Sequence, residues 1–261
     1  MPWTPLGRTN PRVGQLRAVV QGKEPGLAVV DGIKLIRDLW QRGIGPVALF
    51  AHEEATADLA RDPQLQRGLN QVPGFLLSAQ LLQSLAPTQH SQGILAIYAI
   101  PRWGPPKGPV VLYLDRLQDP ANVGALVRVA AALGAGCVVC SPGCANPFSP
   151  KAIRASAGAS LFFPVLTHYS LLELRRDLGP GFRLCAAATS GGTPLPQWRG
   201  PLPSVLVLGN EGQGLDPALE ALVDERVTIP LCNRVESLNV SVAGGILLAW
   251  LLQACQGTYT G

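Results

Sequence analysis

In the second half of this chain, short apolar runs alternate with stretches of helical periodicity. The runs VVLYLD (110–115), CVVCS (137–141), RLCAAA (183–188) and VLVLG (205–209) are continuous rather than alternating, as in strands covered on both faces. Helical segments between them predict a parallel α/β sheet with helices on each side. Nearer the start, LAVV (27–30) and VALFA (47–51) are separated by amphipathic stretches around 33–42 and 78–86, a smaller α/β unit. Between the two lies IPRWGPPKGP (100–109), whose four prolines and two glycines exclude regular structure. The pattern therefore predicts two domains, 1–105 and 106–261.

In open parallel sheets, ligands sit beyond the carboxyl ends of the strands. That rule directs attention to the loops after VVLYLD, RLCAAA, VLVLG and VTIPL (227–231). In the first, Asp119 and Pro120 open a helix whose apolar stripe is Val123, Leu126, Val127, Ala130 and Leu133. Arg128 falls off the stripe, and Gly124, four residues earlier, predicts an unshielded guanidinium. In LVLGNEGQGLDP (206–217), glycines at 209, 212 and 214 let the backbone bend sharply and approach a ligand. Their GxxGxG spacing is not the GxGxxG of a dinucleotide fold, and no Lys-Ser or Lys-Thr follows. A nicotinamide oxidoreductase is thus a weak rival, which cofactor titration would settle. The third loop, IPLCNRVESLNVSVA (229–243), leads into an apolar helix over 239–255. Ser237 and Asn239 read there either as helix caps or as site residues. The helix lacks a polar face, which predicts burial by more than one neighbour, and Ala243, Gly244 and Gly245 allow close helix approach.

Composition narrows the class. With 47% hydrophobic and 15% charged residues, the chain supports substantial cores. The first fifty residues hold seven Lys or Arg against three acids, an excess equal to the whole net charge of +4, which suits phosphate binding at one end. The start has no apolar signal core, and the run at 240–255 is too short and interrupted to span a bilayer; a cytoplasmic protein without membrane contact is expected. The six cysteines read as reduced core residues. Cys137, Cys140 and Cys144 offer one CxxC, with no second pair and no nearby His, so no metal is expected. His52, His90 and His168 are scattered and receive no role, and Trp3, Trp40 and Tyr98 read as packing residues.

The three loop motifs, in this order, resemble the SpoU (TrmH) family of RNA ribose methyltransferases. More loosely, TNPRVGQLRAVV (9–20), LAVVDGIKLIRDLWQRG (27–43) and SQGILAIYAI (91–100) resemble the RNA substrate-binding domain often fused to it. The resemblance implies 2'-O-methylation of RNA with S-adenosyl-L-methionine, a SPOUT catalytic domain with a C-terminal trefoil knot, and a homodimer through the last helix and the first-motif helix. It places Asn122 and Arg128 at the family's asparagine and catalytic arginine, makes Glu211 an anchor of the loops, and has Ser237 and Asn239 orient ribose or substrate. Gly209, Ile229 and Leu238 become the cofactor contacts, with Thr189 and Leu208 beside them. A guanidinium with a pKa above about 12 is a poor general base, so Arg128 reads as a bidentate clamp on the phosphate next to the reacting ribose. The fused N-terminal domain favours large-subunit ribosomal RNA; transfer RNA, or a non-catalytic RNA-binding or ribosome-assembly role on the same fold, are the alternatives.

Overall fold

The computed structural model describes residues 3–63, 65, 71–88, 91–233 and 235–256, with 254–256 in backbone only. The chain divides into two compact units, Met1–Arg102 with Phe148–Phe162, and Trp103–Pro147 with Phe163–Gly261. The sequence expectation is a single cut between 105 and 106. In the structure the division falls at Arg102, and a later segment returns to the first unit.

The first unit is built from β1 (Trp3–Pro5), α1 (Pro11–Val20), β2 (Leu27–Asp31), α2 (Ile33–Gln41), β3 (Ala48–Ala51), α3 (Glu53–Ala60), β4 (Gly74–Leu76), α4 (Ala79–Leu85) and β5 (Ile94–Ala99). The strands form one mixed sheet in the order β1-β4-β3-β5-β2. Asn10 starts α1 by accepting the Arg12 amide at 2.9 Å, and Pro11 follows where no amide partner is needed. The helical spacing of Val13, Leu16 and Val19 then puts all three into a core with Val29, Phe50, Leu95 and Ile97 of the sheet and Leu81, Leu82 and Leu85 of α4. The returning segment carries α5 (Pro150–Ala155). Its Arg154 lies 3.6 Å from the almost fully buried Asp31 carboxylate, which also accepts the Thr88 and Ser91 hydroxyls at 2.6 and 2.8 Å. Gly158, at φ +81, sits against Leu35 and Leu39, where an added Cβ would come within 3.0 Å of Leu39 Cδ2.

The second unit holds β6 (Val110–Leu114), α6 (Pro120–Leu133), β7 (Cys137–Cys140), β8 (Val165–Leu166), α7 (Leu171–Leu178), β9 (Arg183–Ala187), β10 (Thr193–Pro194), β11 (Ser204–Leu208), α8 (Pro217–Glu220), β12 (Glu225–Thr228) and α9 (Val240–Gln256). Seven strands pair in the order β10-β12-β9-β11-β6-β7-β8, every pair parallel, in agreement with the continuous apolar runs. Alternate strand residues Val111, Tyr113, Leu184, Val205 and Val207 pack with Leu171 and Leu174 of α7 on one face. The opposite parity faces α6 and α9: a Cβ on Gly244 would lie 2.5 Å from Leu126 Cδ2 and 2.6 Å from Leu208 Cδ1. Glycine there lets α9 close onto α6 and the sheet at once. The close approach expected from the small residues of α9 is therefore made to a helix of the same chain.

Burial of α9 differs from expectation. Leu247, Leu248 and Leu251 are buried, whereas Val242, Ile246 and Trp250 stand 51%, 38% and 38% exposed. These three recur every fourth residue, so one face of an apolar helix is left open. Among the described residues no helix is long and apolar enough to cross a membrane.

Candidate active site

A cleft of about 570 Å³ opens beyond the carboxyl ends of β9, β11 and β12. Leu208, Ile229, Leu231, Leu238, Ala243 and Leu247 supply apolar wall, and Thr189, Gly209, Glu211, Ser237 and Asn239 supply polar edge. All five cofactor positions read from the sequence thus meet in one cleft, together with three of the five catalytic ones. Ser237 and Asn239 are exposed at its rim, Leu238 is half-buried between them, and the walls continue into the first turns of α9.

Asn122 joins the rim through side-chain hydrogen bonds. Its Nδ2 donates to Glu211 Oε1 at 2.9 Å, and its Oδ1 accepts from Asn239 Nδ2 at 3.0 Å. Asn239 Oδ1 in turn accepts the Ser241 amide at 2.9 Å and hydroxyl at 2.6 Å, capping α9. The cap and site readings of Asn239 therefore hold together, because its amide nitrogen serves the rim while its oxygen starts the helix. One chain of bonds now links all three motif loops.

Arg128 stands apart. It is exposed on α6, outside the cleft lining, with no ion pair or hydrogen-bond partner among the described residues. The structure joins Glu211 to Asn122 and gives it no contact with Arg128. Gly124, read from sequence as the opening beside the guanidinium, is instead buried. Residues 123, 124, 126, 127 and 130 form the covered side of α6, so Arg128 owes its exposure to its own place off that side.

The glycines of the second motif make the sharp bend that was expected. Asn210 and Gly214 exchange two backbone hydrogen bonds of 2.9 Å, folding the loop into a tight hairpin with Gly214 at φ +71. A Cβ on Gly209 would lie 2.5 Å from the backbone of Gly214 and Leu215. Glycine is required there by the loop closing on itself, and the same residue lines the cleft.

Sequence reasoning missed Asp115 and Arg116, in the loop between β6 and α6. The strand expected over 110–115 ends at Leu114, and the loop that follows begins with a buried carboxylate and an arginine at φ +52. Hydrogen bonding to Asp115 raises the Arg116 pKa further above its ordinary value. Arg226 and Glu220, an ion pair of 3.0 Å on the cleft wall, were missed as well. Their residues carry no motif; only the fold brings them together.

His52 caps α3, its Nδ1 facing the Ala55 amide at 3.4 Å; His168 is exposed at φ +57, and His90 lies outside the described residues. Cys137, Cys140 and Cys185 are buried free thiols, while Cys232 is exposed. Among the described residues no three His, Cys, Asp or Glu side chains are grouped to hold a metal ion.

The model of the SpoU rRNA Methylase family matches residues 109–249, more than half of the chain, and the protein belongs to that family of methyltransferases. It is 33% identical over 249 residues to an uncharacterized tRNA/rRNA methyltransferase of Synechocystis sp., covering 92% of this chain and 89% of that one. It is 31% identical over 174 residues to the 23S rRNA (guanosine(2553)-2'-O)-methyltransferase RlmP of Bacillus subtilis, covering 67% and 70%. The crystal structure of an AdoMet-bound rRNA methyltransferase from Sinorhizobium meliloti superposes with a TM-score of 0.78 at 25% identity, over 96% of this chain and 97% of the other.

Proposed function

We propose that this protein transfers the methyl group of S-adenosylmethionine to a ribose 2'-hydroxyl of large-subunit ribosomal RNA. The observation that carries the reading is the hydrogen-bonded chain Glu211–Asn122–Asn239, which ties three motif loops around one cleft. A volume of about 570 Å³ with apolar walls and a few polar edges fits a nucleoside-sized ligand. Leu208, Ile229 and Leu238 would flank the adenine, with the backbone at Gly209 and the Thr189 hydroxyl turned to polar groups. When bound, the cofactor supplies an activated sulfonium methyl. The protein's own task is to align the hydroxyl oxygen with it and lower the cost of developing alkoxide charge.

Arg128 performs the second task. An exposed guanidinium without a partner among the described residues is free to take a substrate phosphate with both arms, and its fixed positive charge then stands beside the reacting ribose. Glu211 is the anchor that fixes Asn122, and Ser237 and Asn239 orient the ribose at the rim. The first unit captures RNA: Arg8, Arg12, Arg17, Lys23, Lys34 and Arg42 are all exposed. Val242, Ile246 and Trp250 form the contact of a homodimer, the motif loops thread the expected knot, and the protein works in the cytoplasm with the ribosome. Relatives of both ribosomal and transfer RNA type exist; RlmP and the attached first unit favour the ribosomal substrate.

The test is to compare ribose methylation across all ribosomal RNA of wild-type and deletion cells, with calorimetry of S-adenosylhomocysteine on the purified protein. One lost 2'-O-methyl site together with saturable binding is expected. An unchanged methylation map alongside a lost transfer RNA mark would move the substrate, and failure to bind the nucleoside would remove the enzyme reading.

A further inference from the structure

The hairpin that carries Glu211 is suspended from two residues of the neighbouring loop. Asp115 is almost completely buried, and its carboxylate accepts Arg116 Nε at 3.2 and 3.3 Å and Arg116 NH2 at 3.1 Å. The same carboxylate accepts the Asp216 amide at 3.2 Å, which fixes the trailing end of the hairpin. The leading end is fixed by Asn210 Nδ2, which donates to the Arg116 carbonyl at 2.8 Å. At the tip, Arg116 NH1 reaches Gln213 Oε1 at 3.5 Å and Asp216 Oδ2 at 3.7 Å. Arg116 is held from the far side by its amide on Ser141 Oγ at 2.9 Å. Inside the hairpin, Asn210 Oδ1 accepts the amides of Gly212 and Gln213 at 3.0 and 3.1 Å, which braces the segment from within.

We propose that Asp115 and Arg116 are positioning residues for methyl transfer, holding the 209–216 hairpin against the 115–119 loop so that Glu211 meets Asn122. The inference rests on the reading of Glu211 and Asn122 given above. Neither residue of the pair lines the cleft, so they act through the hairpin and not on the ligand. The left-handed backbone at Arg116 is a conformation that non-glycine side chains rarely adopt. Glycine would relieve the backbone there but forfeit the guanidinium, so the strain is matched by the contacts that only the side chain makes.

That contrast supplies the experiment. Arg116→Gly suits the backbone and removes the arms; Arg116→Lys keeps one charged arm; Glu211→Gln tests the underlying reading; all are made in the full chain. Arg116→Gly should lower kcat roughly tenfold to a hundredfold, the cost of an ångström-scale misplacement, while leaving the RNA KM within about twofold; because the buried Asp115 carboxylate loses its partner, the melting temperature should fall, and kcat is read well below the transition. Hydrogen exchange at Gly212 and Gln213 should quicken, and Arg116→Lys should recover part of the loss. Wild-type kcat in Arg116→Gly, with Glu211→Gln impaired, overturns the positioning role alone. Wild-type kcat in Glu211→Gln removes the reading beneath it and this proposal with it. A loss confined to KM, or unchanged exchange in the hairpin, also overturns the proposal.

Discussion

Arg116 and Arg128 flank the same motif and live in opposite circumstances. Arg116 is held by protein groups: Asp115, Asp216 and Gln213 meet its arms, and Ser141 and Asn210 bond its backbone. Arg128 has none of these. In the proposed reading, the arginine held within the fold contributes geometry, and the exposed one is left to take a substrate phosphate. Desolvation sharpens the contrast, because the carboxylate opposite Arg116 is buried and removal of its partner leaves that charge uncompensated. Removal of Arg128 leaves no unpaired group among the described residues.

The largest expected effect follows from Arg128. Arg128→Ala should lower methyl transfer by on the order of a hundredfold or more, with the affinity for S-adenosylhomocysteine unchanged in calorimetry. Arg128→Lys retains the charge and loses the planar fork, so it should stay well below wild type if the clamp is bidentate. Lost nucleoside binding in Arg128→Ala would place the residue on the cofactor side and dissolve the contrast with Arg116.

The two faces of α9 give the next effects in size. Leu247→Asp places an unpaired charge in the core and should cost about 3–5 kcal/mol in denaturant unfolding. Ile246→Asp, on the open face, should leave folding nearly intact and abolish the dimer in light scattering. A wild-type protein that is monomeric at micromolar concentration would show that the open stripe has another purpose. Gly244→Val drives a methyl group toward Leu126 and Leu208 and should cost about 1–3 kcal/mol.

The smallest effect expected is on RNA capture. Replacing Arg8, Arg12 and Arg17 together with glutamine should weaken RNA binding and reduce the dependence of log K on log salt by up to about one unit for each phosphate that is no longer neutralised. An unchanged salt slope would mean that those side chains are solvated and touch no phosphate.

What the sequence disclosed was set by local pattern. Continuous apolar runs marked the central strands of the parallel sheet, and the loops at their carboxyl ends marked the cleft. The strands Trp3–Pro5, Gly74–Leu76, Val165–Leu166 and Thr193–Pro194 are too short to carry a period, and none was legible. The return of Phe148–Phe162 to the first unit rests on contacts far apart in sequence, such as Arg154 with Asp31 and Gly158 with Leu35 and Leu39. Asp115 and Arg116 look like ordinary loop residues because their partners at 210, 213 and 216 are assigned only by the pairing of β6 with β11. Gly124 was misread for the opposite reason: residue type suggested an opening, while its place on α6 turned it inward.

The central claim, transfer of a methyl group to a ribose oxygen with Arg128 on the phosphate, is tested most directly by one assay. Purified wild-type and Arg128→Ala proteins are incubated with methyl-tritiated S-adenosylmethionine and large-subunit ribosomal RNA, and the labelled RNA is digested with alkali. With the wild type, the label should remain in a single alkali-resistant dinucleotide, because a methylated 2'-oxygen cannot attack the adjacent phosphate; with Arg128→Ala it should all but vanish. Label released in alkali-sensitive mononucleotides, or equal labelling by the two proteins, would contradict the account.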